Sequence, residues 1–399
     1  MITRISDRLV YVGADDVNLD LFENQYPVPL GMSYNSYVLS GEKVAVLDTV
    51  DPRAAEQWRA NLDEALSGRT PDYLVVHHME PDHSSLIGEL MERFPEMTVV
   101  ISAIGARMLP QFFAGESFAG RVKVVADGEI LSLGGGVSLQ FIMAPMVHWP
   151  EVMVSYEQGS GTLFSADAFG TFGAVSKTGA LALTSTSSWA DEASRYYFNI
   201  CGKYGIQVKK LLERASALEI KRICSLHGPI LTDGAIAEAA GLYGKWGSYV
   251  PDVDGVMVAF ASIHGGTAAA ARYLAEGLEA DGVAVKLVDL SRCDVSKAVA
   301  DAFRRGVLVL AASSYDAGLF PPMHDFLWHL QIKSWQKRKV AIIENGSWAP
   351  TAGRVMNEMV SAMKDITLVG EKVTVRSRIN DADRRALDAL RAAIRDTLA

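Results

Sequence analysis

The sequence predicts a two-domain α/β protein: two β-sheets sandwiched between helices, followed by a small doubly wound parallel sheet. Three observations predict it. Up to about residue 180 the chain reads as many short β-rich runs with two helical insertions, as in a layered sheet protein. From about residue 254 strands and helices alternate through five units in about 145 residues, as in a doubly wound sheet. Between them, Val250-Pro251-Asp252-Val253-Asp254 sets a proline between acids and the style of the sequence changes, so domains are expected at 1–250 and 254–399.

Each element follows from a local pattern. Residues 9–12, 36–39 and 44–47 are β-rich runs broken by Gly, Asp and Asn. Pro52 suits a first helical position and opens a helix reaching about Leu66. A strand at 73–76, an amphipathic helix at 84–94 and a strand at 98–101 come next. A strand ladder then runs through Val122, Ile130, 137–143, 152–156 and 162–164. Residues 188–218 carry apolar positions at helical spacing, 223–226 read as a last short strand, and a helix over 233–249 closes the domain. The second domain is expected to hold strands at 255–261, 283–290, 307–312, 339–343 and 366–375. Its helices are expected at 267–280, 295–305, 322–333, 351–363 and 382–398.

Composition narrows the function classes. A net charge of −9 argues against a nucleic-acid surface and against a basic membrane-binding stretch. No apolar run reaches the length of a membrane span and the first residues carry no apolar signal core, so a cytoplasmic protein is expected. The cysteines are Cys201, Cys224 and Cys293, with no C-x-x-C pair. They fit a reducing compartment and exclude a cysteine-held iron–sulfur cluster or a built-in rubredoxin-type module.

The densest chemistry is His77-His78-Met79-Glu80-Pro81-Asp82-His83-Ser84, directly after the apolar run Tyr73-Leu74-Val75-Val76. A helix cap by Asp82 or Ser84 would explain one of these residues, but not separated histidines with a glutamate. Further ligand types also stand at the ends of apolar runs: His148 after 137–143, Asp167 after 162–164, and His227 after 223–226. Each alone is weak. Strands of one sheet deliver their ends to one edge, however, so the repeated design predicts convergence. His77 precedes the motif by one position, and adjacent strand residues point to opposite faces, so it is expected to be buried outside the ligand set. Trp149 and Phe169 flank ligands and are expected in the pocket wall, where Trp149 could also touch a docking flavin.

The pattern H-x-E-x-D-H over His78, Glu80, Asp82 and His83 resembles the flavodiiron proteins, the A-type flavoproteins with a metallo-β-lactamase-like fold. His148 lies 65 positions after His83, Asp167 a further 19 and His227 a further 60, spacings similar to that family's. The resemblance covers essentially the whole chain, in a short form without a rubredoxin or flavin-reductase extension. It implies one iron held by His78, Glu80 and His148, a second by Asp82, His83 and His227, and Asp167 bridging the two. These seven would form the catalytic diiron centre. Zinc hydrolases of the same fold carry H-x-H-x-D-H, and a carboxylate at Glu80 hardens the site and favours iron. Some relatives carry a histidine just after the Asp-Ala-Phe-Gly stretch; here Thr171 and Phe172 follow instead.

In the second domain, Ser262, Ile263, His264, Gly265, Gly266 and Thr267 form a short loop between a strand and a helix, where backbone N–H groups can surround a phosphate. G-x-G-x-x-G is absent, which favours FMN over a dinucleotide. Loops with Ser314, Tyr315, Asp316, Ala317 and Gly318, and with Asn345, Gly346, Ser347 and Trp348, fall where an isoalloxazine ring would lie. They resemble the family's flavodoxin-like domain while departing from its commoner Ser-Pro-Thr and Gly-Ser-Tyr-Gly-Trp styles.

The resemblance implies an oxidoreductase that reduces dioxygen to water, nitric oxide to nitrous oxide, or both, with electrons passing through FMN. It further implies an external donor such as rubredoxin or an NADH-linked flavin reductase, and a head-to-tail homodimer or a dimer of such dimers. Two other readings compete. One is a metallo-β-lactamase-type hydrolase with a regulatory flavodoxin domain, which Glu80 disfavours. The other is an electron-carrying flavoprotein with a purely structural metal.

Overall fold

The computed structural model describes residues 2–114 and 118–398. Contacts divide the chain into two compact units, one of residues 1–197 and 206–243 and one of 198–205 and 244–399.

The first unit is built on two seven-stranded sheets. One runs in the order Thr3–Arg4, Leu9–Tyr11, Tyr37–Ser40, Val44–Leu47, Tyr73–Val76, Thr98–Ser102, Val122–Val125. Its first four strands pair antiparallel, and the rest run parallel. The other sheet runs Ile130–Gly134, Val137–Met143, Met153–Glu157, Thr162–Phe164, Arg222–Cys224, Ile230–Thr232, Ala182–Leu183. One core joins them: Leu39, Ala45, Leu47, Val75 and Val100 from the first sheet meet Leu139, Phe141, Met153, Phe164 and Cys224 from the second. The alternate residues Val44, Val46, Leu74, Val76, Val99 and Ile101 are buried as well. The helices Ala55–Leu66 and Ala103–Phe112 contact this sheet. Strands buried on both faces explain why these runs are continuously apolar.

Several boundaries differ from expectation. The 84–94 helix is two pieces, Pro81–Ser84 and Ile87–Arg93, so the motif itself is partly helical. Ala103–Phe112 is a helix that periodicity did not reveal, because Gly105 and Pro110 interrupt it; its signal is Ser102, whose hydroxyl accepts the Gly105 N–H. The 188–218 stretch is two helices, Ala190–Ile200 and Gly205–Ala215. Arg222–Cys224 is not the last strand: Ile230–Thr232 returns antiparallel beside it.

The second unit is a parallel sheet ordered Val285–Asp289, Val256–Ala261, Val307–Tyr315, Arg338–Asn345 and then the fifth strand, which is the 2-1-3-4-5 order of a flavodoxin-like fold. The fifth strand is split. Ile366–Leu368 pairs with the start of Arg338–Asn345 and Val373–Val375 with its end.

Candidate metal centre and flavin loops

Sheet topology brings the predicted ligands together. Thr162–Phe164 and Arg222–Cys224 are parallel neighbours with Phe164 opposite Cys224. Asp167 and His227 each stand three residues beyond those partners, so equal register delivers both to one edge. His148 lies in the turn between Val137–Met143 and Met153–Glu157, at that same edge. Facing them, the Tyr73–Val76 strand runs out into the motif, and Pro81 starts the short helix that presents Asp82 and His83. The backbone around the ligands is unusual: Met146, Ala166 and Phe169 all take positive φ, at 65°, 51° and 67°. Non-glycine residues there cost roughly 1–2 kcal/mol each, a strain that concentrates at functional sites.

All seven predicted residues converge in two groups. Ligand atoms of His78, Glu80, His148 and Asp167 lie within 4.8 Å of one another, as do those of Asp82, His83 and His227. Asp167 joins the groups. Its Oδ2 lies 3.0 Å from His148 Nε2 and 3.3 Å from His78 Nε2, while its Oδ1 lies 3.4 Å from His83 Nε2 and 3.7 Å from His227 Nε2. Two pairs of imidazole nitrogens face each other, His78 with His148 at 3.3 Å and His83 with His227 at 3.0 Å. The buried oxygens of Asp82 and Asp167 have no hydrogen-bond partner of good geometry among the described residues. Converging lone pairs and orphaned carboxylate oxygens at such depth are what a pair of cations would satisfy.

Burial and neighbouring charge oppose each other at these groups. Burial opposes a charge on His148, but the Asp167 and Glu80 carboxylates outweigh it and raise its pKa to about 9. Burial likewise opposes charge on His78, and Asp167, Glu151 and Glu80 overcome it, lifting His78 well above the usual histidine range. Asp167 answers in the opposite sense: burial pushes it up, and His78, His148 and His83 pull it well below an ordinary carboxylate.

The surroundings fix the ring orientations. His227 Nδ1 donates to the Ser33 carbonyl at 2.8 Å, so its Nε2 offers a lone pair. His78 Nδ1 faces Glu151 Oε1 at 2.7 Å. The Met79 N–H is 2.9 Å from that oxygen and 3.1 Å from Nδ1; the carboxylate, nearer and charged, is its acceptor. Sequence reasoning missed Glu151, which stands three residues after His148 and would be found by asking what backs the buried ring. It also missed Asp48 and Thr49, although they too follow an apolar strand. Thr49 donates to the His83 carbonyl from both its N–H and its hydroxyl at 2.8 Å, anchoring the motif helix. His77 is buried away from the cluster as expected, its ring between Asp48 at 2.5 Å and Ser155 at 2.7 Å.

Aromatic side chains wall the site. Trp149 meets His78 edge-on at 5.2 Å, and Phe169 stacks on Tyr243 at 4.3 Å. Phe172, at the position after Thr171, is buried against Tyr196 with the Arg195 guanidinium 4.2 Å over its ring. A cavity of about 440 Å³ reaches Glu80 and Asp82 past Phe22, Tyr34, Asp51 and Arg53.

In the second unit, the three predicted loops leave adjacent strands at the carboxyl edge, beside the point where strand order reverses. Gly265 takes φ 87° at the N-cap of the Gly266–Ala280 helix. A Cβ on Gly266 would meet the Ser377 carbonyl at 2.1 Å, so this close approach requires glycine. Thr267 and Ser313 hydroxyls join at 2.8 Å across two of the loops. Asp316 and Ala317 both take positive φ in the two-residue turn to Gly318–Leu319. Two predicted contacts are otherwise engaged: the Ser314 hydroxyl accepts the Thr351 and Ala352 N–H groups, and the Asn345 side chain bonds the Ser377 backbone. Ile263, Tyr315 and Trp348 are exposed, Trp348 to 88%.

Comparison with known proteins agrees with this architecture. Residues 32–228 match the ODP family beta lactamase. A putative diflavin flavoprotein A 2 from Synechocystis is 31% identical over 281 residues, covering 70% of this chain and 47% of that protein. An anaerobic nitric oxide reductase flavorubredoxin from Vibrio vulnificus is 26% identical over 359 residues, covering 87% of this chain and 70% of its own length. The chain spans about half the length of the first of these relatives. Among solved structures, the rubredoxin oxygen:oxidoreductase from Desulfovibrio gigas superposes with a TM-score of 0.93 at 25% identity, covering 100% of this chain and 98% of that one. A flavoprotein from Thermotoga maritima, at 23% identity and a TM-score of 0.90, shares the fold over 100% of this chain and 98% of its own. With an H-x-E-x-D-H cluster in the first unit, a 2-1-3-4-5 sheet in the second, and relatives and folds of one kind along the whole length, the chain belongs to the flavodiiron proteins.

Proposed function

We propose that this protein is an oxidoreductase that reduces dioxygen to water, nitric oxide to nitrous oxide, or both, at a non-haem diiron site supplied with electrons through FMN. The observation that carries the reading is the pairing of two buried ligand groups through the two oxygens of Asp167, with a carboxylate at Glu80. The orphaned oxygens of Asp82 and Asp167 and the facing imidazoles fit two cations. One iron would be held by His78, Glu80 and His148, the other by Asp82, His83 and His227, with Asp167 shared. Iron in such a site supplies one-electron steps between its ferrous and ferric states. The chain's own residues bind, orient and enclose. Glu151 and the Ser33 carbonyl set the tautomers of His78 and His227, Thr49 anchors the His83 backbone, and the cavity past Tyr34 is ample for a diatomic gas.

The FMN phosphate would be held by backbone N–H groups of 262–267. Tyr315 and Trp348 would flank its ring, with the 314–318 and 345–348 loops along its polar edge. Ser314 and Asn345 would contribute mainly backbone, since their side chains bind the fold. The proposal further comprises a diiron domain at 1–250, an FMN domain at 254–399, a rubredoxin-like or reductase donor and a head-to-tail homodimer. It includes a cytoplasmic location, in keeping with three free cysteines. Among the described residues no helix is long and apolar enough to cross a membrane.

The test is anaerobic reduction of purified protein followed by mixing with each gas, with flavin reoxidation and gas products measured. Reoxidation is expected to fall more than about tenfold in His148→Ala. Zinc without iron on elemental analysis, or full rates in that variant, would overturn the reading.

A further inference from the structure

The two halves of the cluster are backed differently. Glu151 is 3% exposed and places Oε1 2.7 Å from His78 Nδ1, while its Oε2 has no partner among the described residues. Its backbone carbonyl accepts the Ser102 hydroxyl at 2.7 Å, and that same hydroxyl caps the Ala103–Phe112 helix. Glu151 therefore belongs to the hairpin turn of the second sheet but is bonded through backbone and side chain to residues of the first. Its Oε1 is held between His78 Nδ1 and the Met79 N–H. In the other half, His227 is backed by the neutral Ser33 carbonyl, and buried His83 Nδ1 has no partner among the described residues.

Counted by fixed charge, His78, Glu80 and His148 stand with two carboxylates, Glu80 and Glu151, besides their share of Asp167. Asp82, His83 and His227 have Asp82 and the other share; Asp51, beside Asp82 in the cavity, is opposed by the Arg53 guanidinium and contacts none of these imidazoles. A carboxylate behind an imidazole orients the ring and increases its basicity toward the metal, and a cation is held more tightly where more negative charge faces it.

On the diiron reading above, we infer that Glu151 is a positioning residue that makes the two metal positions unequal, so that the His78–Glu80–His148 position binds its ion more tightly and fills first. It acts through His78 and touches neither metal nor substrate.

The test is anaerobic titration of metal-depleted full-length protein with ferrous ion alone, following bound iron by equilibrium dialysis and the iron environments by Mössbauer spectroscopy at one and two equivalents. The native chain is expected to give one dominant environment at one equivalent and two at two equivalents. Glu151→Gln keeps an acceptor for His78 Nδ1 and removes the charge; it is expected to weaken the tighter position by about 10–100-fold and leave the other unchanged. Glu151→Asp, which keeps the charge, is expected to recover part of that loss. His227→Ala should retain the tight first equivalent, and His148→Ala should lose it; this contrast tests the order of filling, and the Glu151 pair tests its cause. Equal affinities in the native chain, equal losses in the two histidine variants, or an unchanged Glu151→Gln titration would overturn the inference while leaving the diiron reading intact. Failure of the native chain to bind two ferrous ions would overturn that reading itself.

Discussion

Glu80 is the residue on which the metal reading turns, and it was legible because one carboxylate replaces an imidazole in an otherwise familiar pattern. Glu80→His restores the H-x-H-x-D-H pattern of zinc hydrolases. After reconstitution with equal iron and zinc it is expected to shift the bound ratio toward zinc, as read by elemental analysis. His148 contributes to the pH dependence of the metal-depleted protein alongside His78 and His83, which neighbouring carboxylates also raise. Its folded pKa of about 9 lies above the ordinary 6.5, so its contribution to stability is full below pH 6.5 and is lost as pH rises through 9. Denaturant titrations of chelated protein are expected to show a loss approaching about 3 kcal/mol over that window. Iron-loaded protein should lack it, because a ligated imidazole has already given up its proton. Glu151, Asp48 and Thr49 were not legible, since nothing in a linear pattern says which buried carboxylate or hydroxyl will lie behind a ring or a backbone carbonyl.

At the scale of elements, what was legible was whatever one face or one register determines. The strands at 44–47, 73–76 and 162–164 fall where short continuous apolar runs put them, and 137–143 where alternation does. The Ala103–Phe112 helix was hidden by Gly105 and Pro110, and the Ile230–Thr232 strand by its brevity after His227-Gly228-Pro229. The flavin loops were located by their place between strand and helix, but their side-chain contacts were not, because Ser314 serves as a helix cap and Asn345 as a tie to the next loop. Gly266 is the sharpest probe of that region. Gly266→Ala drives a methyl into the Ser377 carbonyl, which the Asn345 amide holds. The variant is expected to lose about 1–3 kcal/mol of stability and to retain less flavin, measured by thermal unfolding and by the flavin-to-protein absorbance ratio.

At the scale of the whole molecule, the proposed head-to-tail dimer has a consequence that subunit mixing reads directly. A subunit carrying His148→Ala lacks one iron position but keeps its FMN; one carrying Gly266→Ala is impaired in FMN but keeps its irons. In a mixed dimer the intact irons of one subunit would face the intact flavin of the other. An equal mixture, denatured and refolded together, is therefore expected to recover about one quarter of native turnover, with each parent alone near background. Recovery no greater than the sum of the parents would argue for electron transfer within a single chain.

The register of Thr162–Phe164 against Arg222–Cys224 bears on how such a site tolerates change. Asp167 and His227 are 60 positions apart in sequence, yet their spacing depends on two neighbouring strands about 4.8 Å apart and on the equal step each takes beyond its partner. Apart from the Ala182–Leu183 strand and the Tyr196 ring 5.6 Å from His227, the intervening chain can lengthen or shorten without changing that register, and residues 198–205 within it are counted with the second compact unit. A single-residue insertion between Phe164 and Asp167 would do more damage to the centre than a whole helix added between Leu183 and Arg222.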